Sequence, residues 1–321
     1  MSSSDSEPGG AADATPATPS VGSLLRGATL SLREAGSESP RLDAELLLGH
    51  VLGVGRATLL AEPESPVGGD HRAAFESLVE RRATGEPVAY IRGLKEFYGL
   101  ALAADGRALI PRPETEVLVE LAVERLGWLL TAAPRPAGSR PLLVWDVGTG
   151  SGAICVAVAA ECRRRGYATD VRLRASDVSA DALALATENA VAHGVADVIQ
   201  FAIADLTRLE DDDRVEPADV LVANLPYIPR DVVPTLPVAA SFEPRQALDG
   251  GPDGLAVIRR LLAELPSAVA EGGVALIEIG SGQEQLLRDA AADSLPGWQL
   301  AMHADLAGNP RVAELQQPGA R

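Results

Sequence analysis

Two apolar runs, each closed by a tight turn, limit what this chain can fold into more than anything else in it. Residues 142–153 read LLVWDVGTGSGA, a nearly continuous apolar run that breaks into three spaced glycines and then opens a helical pattern. Residues 220–228 read VLVANLPYI, a second such run ending in Asn224-Leu225-Pro226-Tyr227. Runs of that kind suit strands buried on both faces, as in a parallel sheet covered by helices. In an open parallel sheet, ligands bind outside the carboxyl ends of the strands, near the point where strand order reverses. Both turns are therefore expected on one edge, around one site.

The surrounding pattern agrees. Strands are expected at 142–147, 171–176, 199–203, 219–223 and 273–279, with helices at 153–165, 180–193 and 254–270 between them and 284–292 after them. Strand and helix in alternation imply right-handed crossovers and a parallel sheet. Residues 298–303 and 311–315 are two further strands with a short link, so one of them should run antiparallel.

Upstream, residues 1–20 have nothing to bury and are expected to form a disordered tail. Residues 21–87 read as a small helical bundle. Leu25, Ala28, Leu32 and Ala35 share one face, and Ser39-Pro40 starts a second helix that Gly53 stops. A third segment surrounds Leu59 and Leu60, and Asp70 can cap a fourth that carries Phe75 and Val79. Residues 88–112 are expected to be a β-hairpin linker, with 88–91 paired to 97–103 through Gly93. Residues 113–321 complete the α/β domain. Its first helix holds Glu114, Thr115 and Glu116 in the first turn, where carboxylates suit the helix dipole. Residues 132–140, with Pro134 and Pro136, are expected to be a loop.

Charge and cysteine content narrow the partners. A net charge of -17 argues against direct contact with nucleic acid, which needs clustered Lys and Arg. Cys155 and Cys162 lie seven apart on one helix, roughly 10 Å by helical rise, too far for a disulfide. They have no spaced His partner, so no metal site is expected. No apolar run reaches the roughly 18 residues of a membrane span. The first basic residue is Arg26, so no charged leader is seen. A cytoplasmic monomer is the expectation.

The candidate site residues fall at strand ends. In Asp146-Val147-Gly148-Thr149-Gly150-Ser151-Gly152, glycines let the backbone approach a ligand and the next helix offers free N–H groups. With Ala153 the segment also fits the dinucleotide pattern G-x-G-x-x-A, which leaves a nicotinamide enzyme open. Asp177 ends the second strand, where a carboxylate can accept both ribose hydroxyls of an adenosine. Asp205, after the third strand, is placed to reach an adenine amino group. Asn224 to Tyr227 favour a methyltransferase acting on a planar NH2. The Asn oxygen and a backbone carbonyl can accept both hydrogens of that group, with an aromatic ring packed on its flat face.

The chain resembles the HemK/PrmC family of S-adenosylmethionine-dependent protein-(glutamine-N5) methyltransferases, which act on class I peptide release factors. The likeness covers roughly residues 21–315. It includes SPRLDAELLLGHVLG, TGEPVAYIRGLKEFYGL, IPRPETE, DVGTGSGAI, SDVSADAL, ANLPYI, FEPRQALDGGPDGL and IEIGSGQ. The resemblance implies a class I methyltransferase domain, a Rossmann-like seven-stranded sheet behind a small all-helical domain. It implies that Gly148 to Gly152 and Asp177 bind S-adenosylmethionine, with Leu206 beside Asp205 at the adenine. By the same likeness Asn224, Leu225, Pro226 and Tyr227 would hold the substrate glutamine, Asn224 lying near the cofactor as well. The family's usual tetrad is Asn-Pro-Pro-Tyr. The Asn-Leu-Pro-Tyr spelling here is associated with ribosomal RNA adenine dimethyltransferases, so an RNA methylase is the alternative. Leu at the second position keeps the backbone carbonyl, and Pro226 biases Leu225 towards an extended conformation.

Overall fold

A computed structural model describes residues 18–132, 138–209, 216–305 and 307–318. The expected disordered tail falls mostly on residues 1–17, outside the described residues, as does much of the loop expected at 132–140. The chain divides into two compact units, Met1–Ile91 and Arg92–Arg321. Among the described residues no helix is long and apolar enough to cross a membrane.

The first unit is helical: α1 (Val21–Glu34), α2 (Pro40–Leu52), α3 (Arg56–Ala61), α4 (Gly69–Ala83) and α5 (Val88–Arg92), whose last residue opens the second unit. Leu25, Leu32, Leu47, Leu48 and Phe75 form its core. Gly53 ends α2 in the left-handed conformation, as its position suggested. Helix α2 starts where Ser39-Pro40 suggested, with Ser39 at the N-cap and Pro40 at the first position, but the Ser39 hydroxyl donates to Asp43 Oδ1 at 2.9 Å and makes no cap bond. Asp70 does not cap α4. Helix α4 already begins at Gly69, which puts Asp70 inside its first turn.

The second unit opens with a hairpin displaced from the expected one. Residues 88–91 are not a strand. The Pro87 carbonyl accepts from the N–H groups of Tyr90 and Ile91, which winds the segment into α5. Strands β1 (Leu94–Phe97) and β2 (Leu100–Ala103) pair around Tyr98-Gly99. Both turn residues have positive φ, 50° and 74°, the geometry of a two-residue hairpin turn that follows the strand twist. A short 3-10 turn, Pro113–Thr115, then leads into α6 (Glu116–Thr131).

Among the described residues seven long strands build the sheet: β3 (Leu142–Val147), β4 (Val171–Asp177), β5 (Ile199–Asp205), β7 (Ala218–Ala223), β8 (Val269–Glu278), β9 (Gln299–Ala304) and β10 (Pro310–Gln316). The two-residue β6 (Arg208–Leu209) adds an eighth at one edge, giving the order β6-β5-β4-β3-β7-β8-β10-β9. Strands β5, β4, β3, β7 and β8 run parallel, and β10 pairs antiparallel with both β8 and β9. Helices α7 (Ala153–Arg164), α8 (Ala180–Ala192), α9 (Ala256–Ala268) and α10 (Glu284–Ser294) cover it. On one face Val144, Val220, Val222 and Leu276 pack with Leu118 of α6 and Val156 of α7. On the other, Leu143, Trp145, Leu221 and Ile277 pack with Ile258 of α9 and Leu287 of α10. Strand order reverses between β3 and β7, so the crevice for a ligand opens above their carboxyl ends.

Candidate functional site

The glycine turn follows β3 directly. Gly148, Gly150 and Gly152 all have positive φ, 72°, 55° and 79°, which side chains rarely tolerate. The N–H groups of Gly148 and Thr149 donate to the Ser176 carbonyl at 2.8 and 2.9 Å, tying the turn to β4. A Cβ on Gly148 would stand 2.8 Å from Leu225 Cδ2, so the two sequence motifs touch there. Gly150 differs, since an added Cβ would meet only Ala108 at 3.9 Å, and its open side faces the cleft.

Asp146 does not line that cleft. It is fully buried beneath the turn, where Oδ2 accepts from Thr149 Oγ1 at 2.7 Å and from the Cys155 N–H at 3.1 Å. Its Oδ1 has no partner among the described residues. Burial above all, with the charge of Asp177 adding, pushes its carboxyl up to about 6. Gly152 is likewise turned away, packed against Ala186 of α8.

Asp177 does line the cleft. Its Oδ2 accepts from Gly150 N–H and its Oδ1 from Ser179 N–H, both at 2.9 Å. The carboxylate is thereby locked in place, and each oxygen keeps a lone pair for a ligand hydroxyl. Ser179 itself caps α8, its side chain accepting from the Ala182 N–H. Asp205 sits on the rim, exposed, with Oδ2 paired to Arg260 Nη2 at 2.6 Å. Leu206 beside it is buried and holds φ 59°, a left-handed conformation that costs a leucine energy and concentrates at functional sites.

The Asn-Leu-Pro-Tyr tetrad follows directly on the Ala223–Ile277 pair that ends the β7–β8 register. Asn224 Nδ2 donates to Thr115 Oγ1 at 3.0 Å, which turns the amide oxygen the other way. Asn224, Leu225, Pro226 and Thr115 all line the cleft. Among the described residues nothing donates to Asn224 Oδ1 or to the Leu225 carbonyl, so both acceptors stay available. The Leu225 side chain is buried. Tyr227 is set back from the cleft lining. Its hydroxyl donates to Glu278 Oε1 at 3.3 Å, and burial first, then Glu278, pushes its pKa well up.

Several supporting residues went unread in the sequence. Gln283 Nε2 donates to the Tyr227 carbonyl at 2.8 Å, and a Cβ on Gly254 would come within 2.5 Å of that same amide nitrogen. Buried Glu243 accepts from the Ile110 N–H at 3.0 Å and from Arg112 Nη2 at 2.6 Å, joining the two segments that wall the cleft. Thr115 and Glu278 were visible only as a helix start and a strand end. An acid ending an otherwise apolar strand, as in IEIGSG, is the signal that could have found Glu278.

The comparisons bear on this geometry. Residues 23–93 match the model of the PrmC N-terminal domain, and residues 132–230 match an RMKL-like methyltransferase domain. A release factor glutamine methyltransferase of Rhodopirellula baltica is 36% identical over 92% of this chain and 95% of its own length. One from Moorella thermoacetica is 40% identical over 81% of this chain and 85% of its own. Among solved structures, the release factor-specific protein-(glutamine-N5) methyltransferase of Alicyclobacillus acidocaldarius is 27% identical. That match covers 65% of this chain and 94% of that one, with a TM-score of 0.38.

Proposed function

We propose, for a chain that belongs to the release factor glutamine methyltransferase family, that it methylates the side-chain nitrogen of the glutamine in the Gly-Gly-Gln loop of class I peptide chain release factors, in support of translation termination. The observation that carries this reading is the Asn224 amide, its nitrogen engaged by Thr115 and its oxygen left free beside the Leu225 carbonyl. Two such acceptors suit the two hydrogens of one primary amide.

The cleft suits S-adenosylmethionine as donor. Val178, Leu206 and Val257 offer apolar walls for a flat base, and Asp177 offers a fixed carboxylate for two ribose hydroxyls. When bound, S-adenosylmethionine supplies a sulfonium methyl: the N–C bond forms as the S–C bond breaks with its electron pair left on sulfur, and the amide gives up one proton to water. The chain's own part is placement. Asn224 Oδ1 and the Leu225 carbonyl accept the two N–H groups and aim the nitrogen, an alignment worth several orders of magnitude in rate. Asp205, paired with Arg260 on the rim, and Leu206 flank the position proposed for the adenine. We further propose that the helical first unit selects the release factor, since one glutamine side chain offers too little contact to choose among proteins.

The experiment is a pair of variants assayed for methyl transfer to a purified release factor. Asn224→Ala is expected to lower kcat at least about a hundredfold, as for a lost positioning group. Leu225→Pro keeps the carbonyl and is expected to stay within a few-fold of wild type. An active Asn224→Ala, or an inactive but folded Leu225→Pro, would speak against the tetrad's assigned role.

A further inference from the structure

A group that aims a reacting atom must itself be held, because a misplacement of about 1 Å can cost about a hundredfold in rate. The β7–β8 register ends at Ala223–Ile277, so Asn224 to Tyr227 run on past the ladder. The Leu225 carbonyl is backbone, so its restraint has to come along the chain. That restraint lies just downstream. Ile228 N–H donates to the Leu248 carbonyl at 3.2 Å, and Gly250 N–H donates to the Ile228 carbonyl at 2.8 Å. One residue nearer the site, the Tyr227 carbonyl accepts from Gln283 Nε2 at 2.8 Å.

The Gln283 amide fits there only one way round. Its Oε1 accepts from Gly280 N–H at 2.8 Å. A backbone N–H only donates and a carbonyl only accepts, so the nitrogen end must face Tyr227. Gln283 is 7% exposed and held by its own backbone as the N-cap residue of α10, accepting from Leu287 N–H at 2.9 Å. The space around the bond is cut to fit. A Cβ on Gly254 would stand 2.2 Å from the Tyr227 carbonyl oxygen, and one on Gly280 would stand 2.9 Å from Gln283 Oε1. Gly254 belongs to the segment FEPRQALDGGPDGL and Gly280 to IEIGSGQ, so the two segments meet at this one amide.

We propose that Gln283 is a positioning residue, an amide clamp that fixes the tetrad's backbone and through it the Leu225 carbonyl and Asn224. The inference rests on the glutamine reading above. Gln283 lies outside the cleft lining, so it acts through the tetrad and not on a reactant.

The test uses the full chain and two readouts. Gln283→Met keeps the length of the side chain and removes both hydrogen-bonding ends. On a purified release factor, kcat is expected to fall at least about thirtyfold with KM for the factor within about threefold, as for an interaction realised in the transition state. Placed in an Asn224→Ala background, Gln283→Met is expected to add about a fivefold loss or less, because both changes spoil one alignment. The second readout needs no substrate. Backbone order parameters at Leu225 and Tyr227, from nuclear magnetic resonance, are expected to drop from about 0.85 towards about 0.6 in Gln283→Met, with the strands of the sheet unchanged. A residue that only supported the fold would lower the melting temperature and leave these two amides rigid. Should Gln283→Met not fold, Gln283→Glu carries the same comparison at alkaline pH, where its ionised carboxylate keeps the Gly280 bond and loses the donor. A folded variant with kcat within about threefold of wild type, or with Leu225 and Tyr227 still rigid, would overturn the proposal. A wild-type chain that methylates no glutamine defeats the underlying reading instead, while the order parameters still decide the clamp.

Discussion

Asp146 marks where reading residues one at a time stops working. A carboxylate at the end of a strand, next to a glycine turn, looks like a ligand contact. Its neighbours send it beneath the turn, onto Thr149 and the first turn of α7, and leave Asp177 to face the cleft. Side-chain direction at a strand end depends on what the turn covers, which residue type and spacing do not record. The placement has a consequence in pH. The Asp146 carboxyl is raised from 3.8 to about 6, chiefly by burial. A raised carboxyl favours the folded state while it is protonated, so that contribution is present below about pH 4 and is lost as pH rises through 6. Asp146→Asn keeps an acceptor for Thr149 and Cys155 and stays neutral throughout. Measured by urea denaturation from pH 4 to 7, the variant is expected to gain on wild type by up to about 3 kcal/mol over that range. A stability difference that does not change with pH would contradict the assignment. Tyr227 teaches a related lesson: the tetrad is legible as a motif, but its ring turns to Glu278, and no spacing rule reveals that.

Among the elements, the long strands of the sheet and the helices that cover it were legible to within a few residues, because their apolar runs are long and separated by glycine or polar turns. The hairpin was not. Val88, Tyr90 and Ile91 have strand-forming side chains, yet Pro87 starts a helix there and Gly93 ends it with φ 69°. The correct turn, Tyr98-Gly99, places a bulky residue at positive φ, which few sequence rules would allow. What holds the hairpin is equally hidden. Asn189, 1% exposed on α8, accepts from Ala103 N–H at 2.7 Å and donates to the carbonyls of Ala103 and Ser151. It therefore clamps β2 and the glycine turn to one helix. Asn189→Ala leaves those buried groups unpaired and is expected to cost about 2–4 kcal/mol of stability, read by thermal or urea unfolding. It is also expected to weaken cofactor binding, read by calorimetry. A variant as stable as wild type would show that the clamp contributes little.

The whole molecule divides into Met1–Ile91, which is helical, and Arg92–Arg321, which holds the sheet; the sequence pattern set a separate linker at 88–112. All the residues that line the cleft belong to the second unit. If the first unit selects the substrate, a chain lacking residues 1–84, checked for folding and for intact cofactor affinity, is expected to lose at least tenfold in kcat/KM on an intact release factor. A short Gly-Gly-Gln peptide is expected to be affected far less. Equal loss on both substrates would make the unit a stabilising cap. The function itself turns on which atom receives the methyl group. The full chain, incubated with methyl-labelled S-adenosylmethionine, a purified release factor and cellular RNA, and followed by peptide mapping, answers that in one measurement. The expected result is a single label on the side-chain nitrogen of the Gly-Gly-Gln glutamine. A label on RNA, or on any other residue of the release factor with that glutamine unmodified, would contradict it.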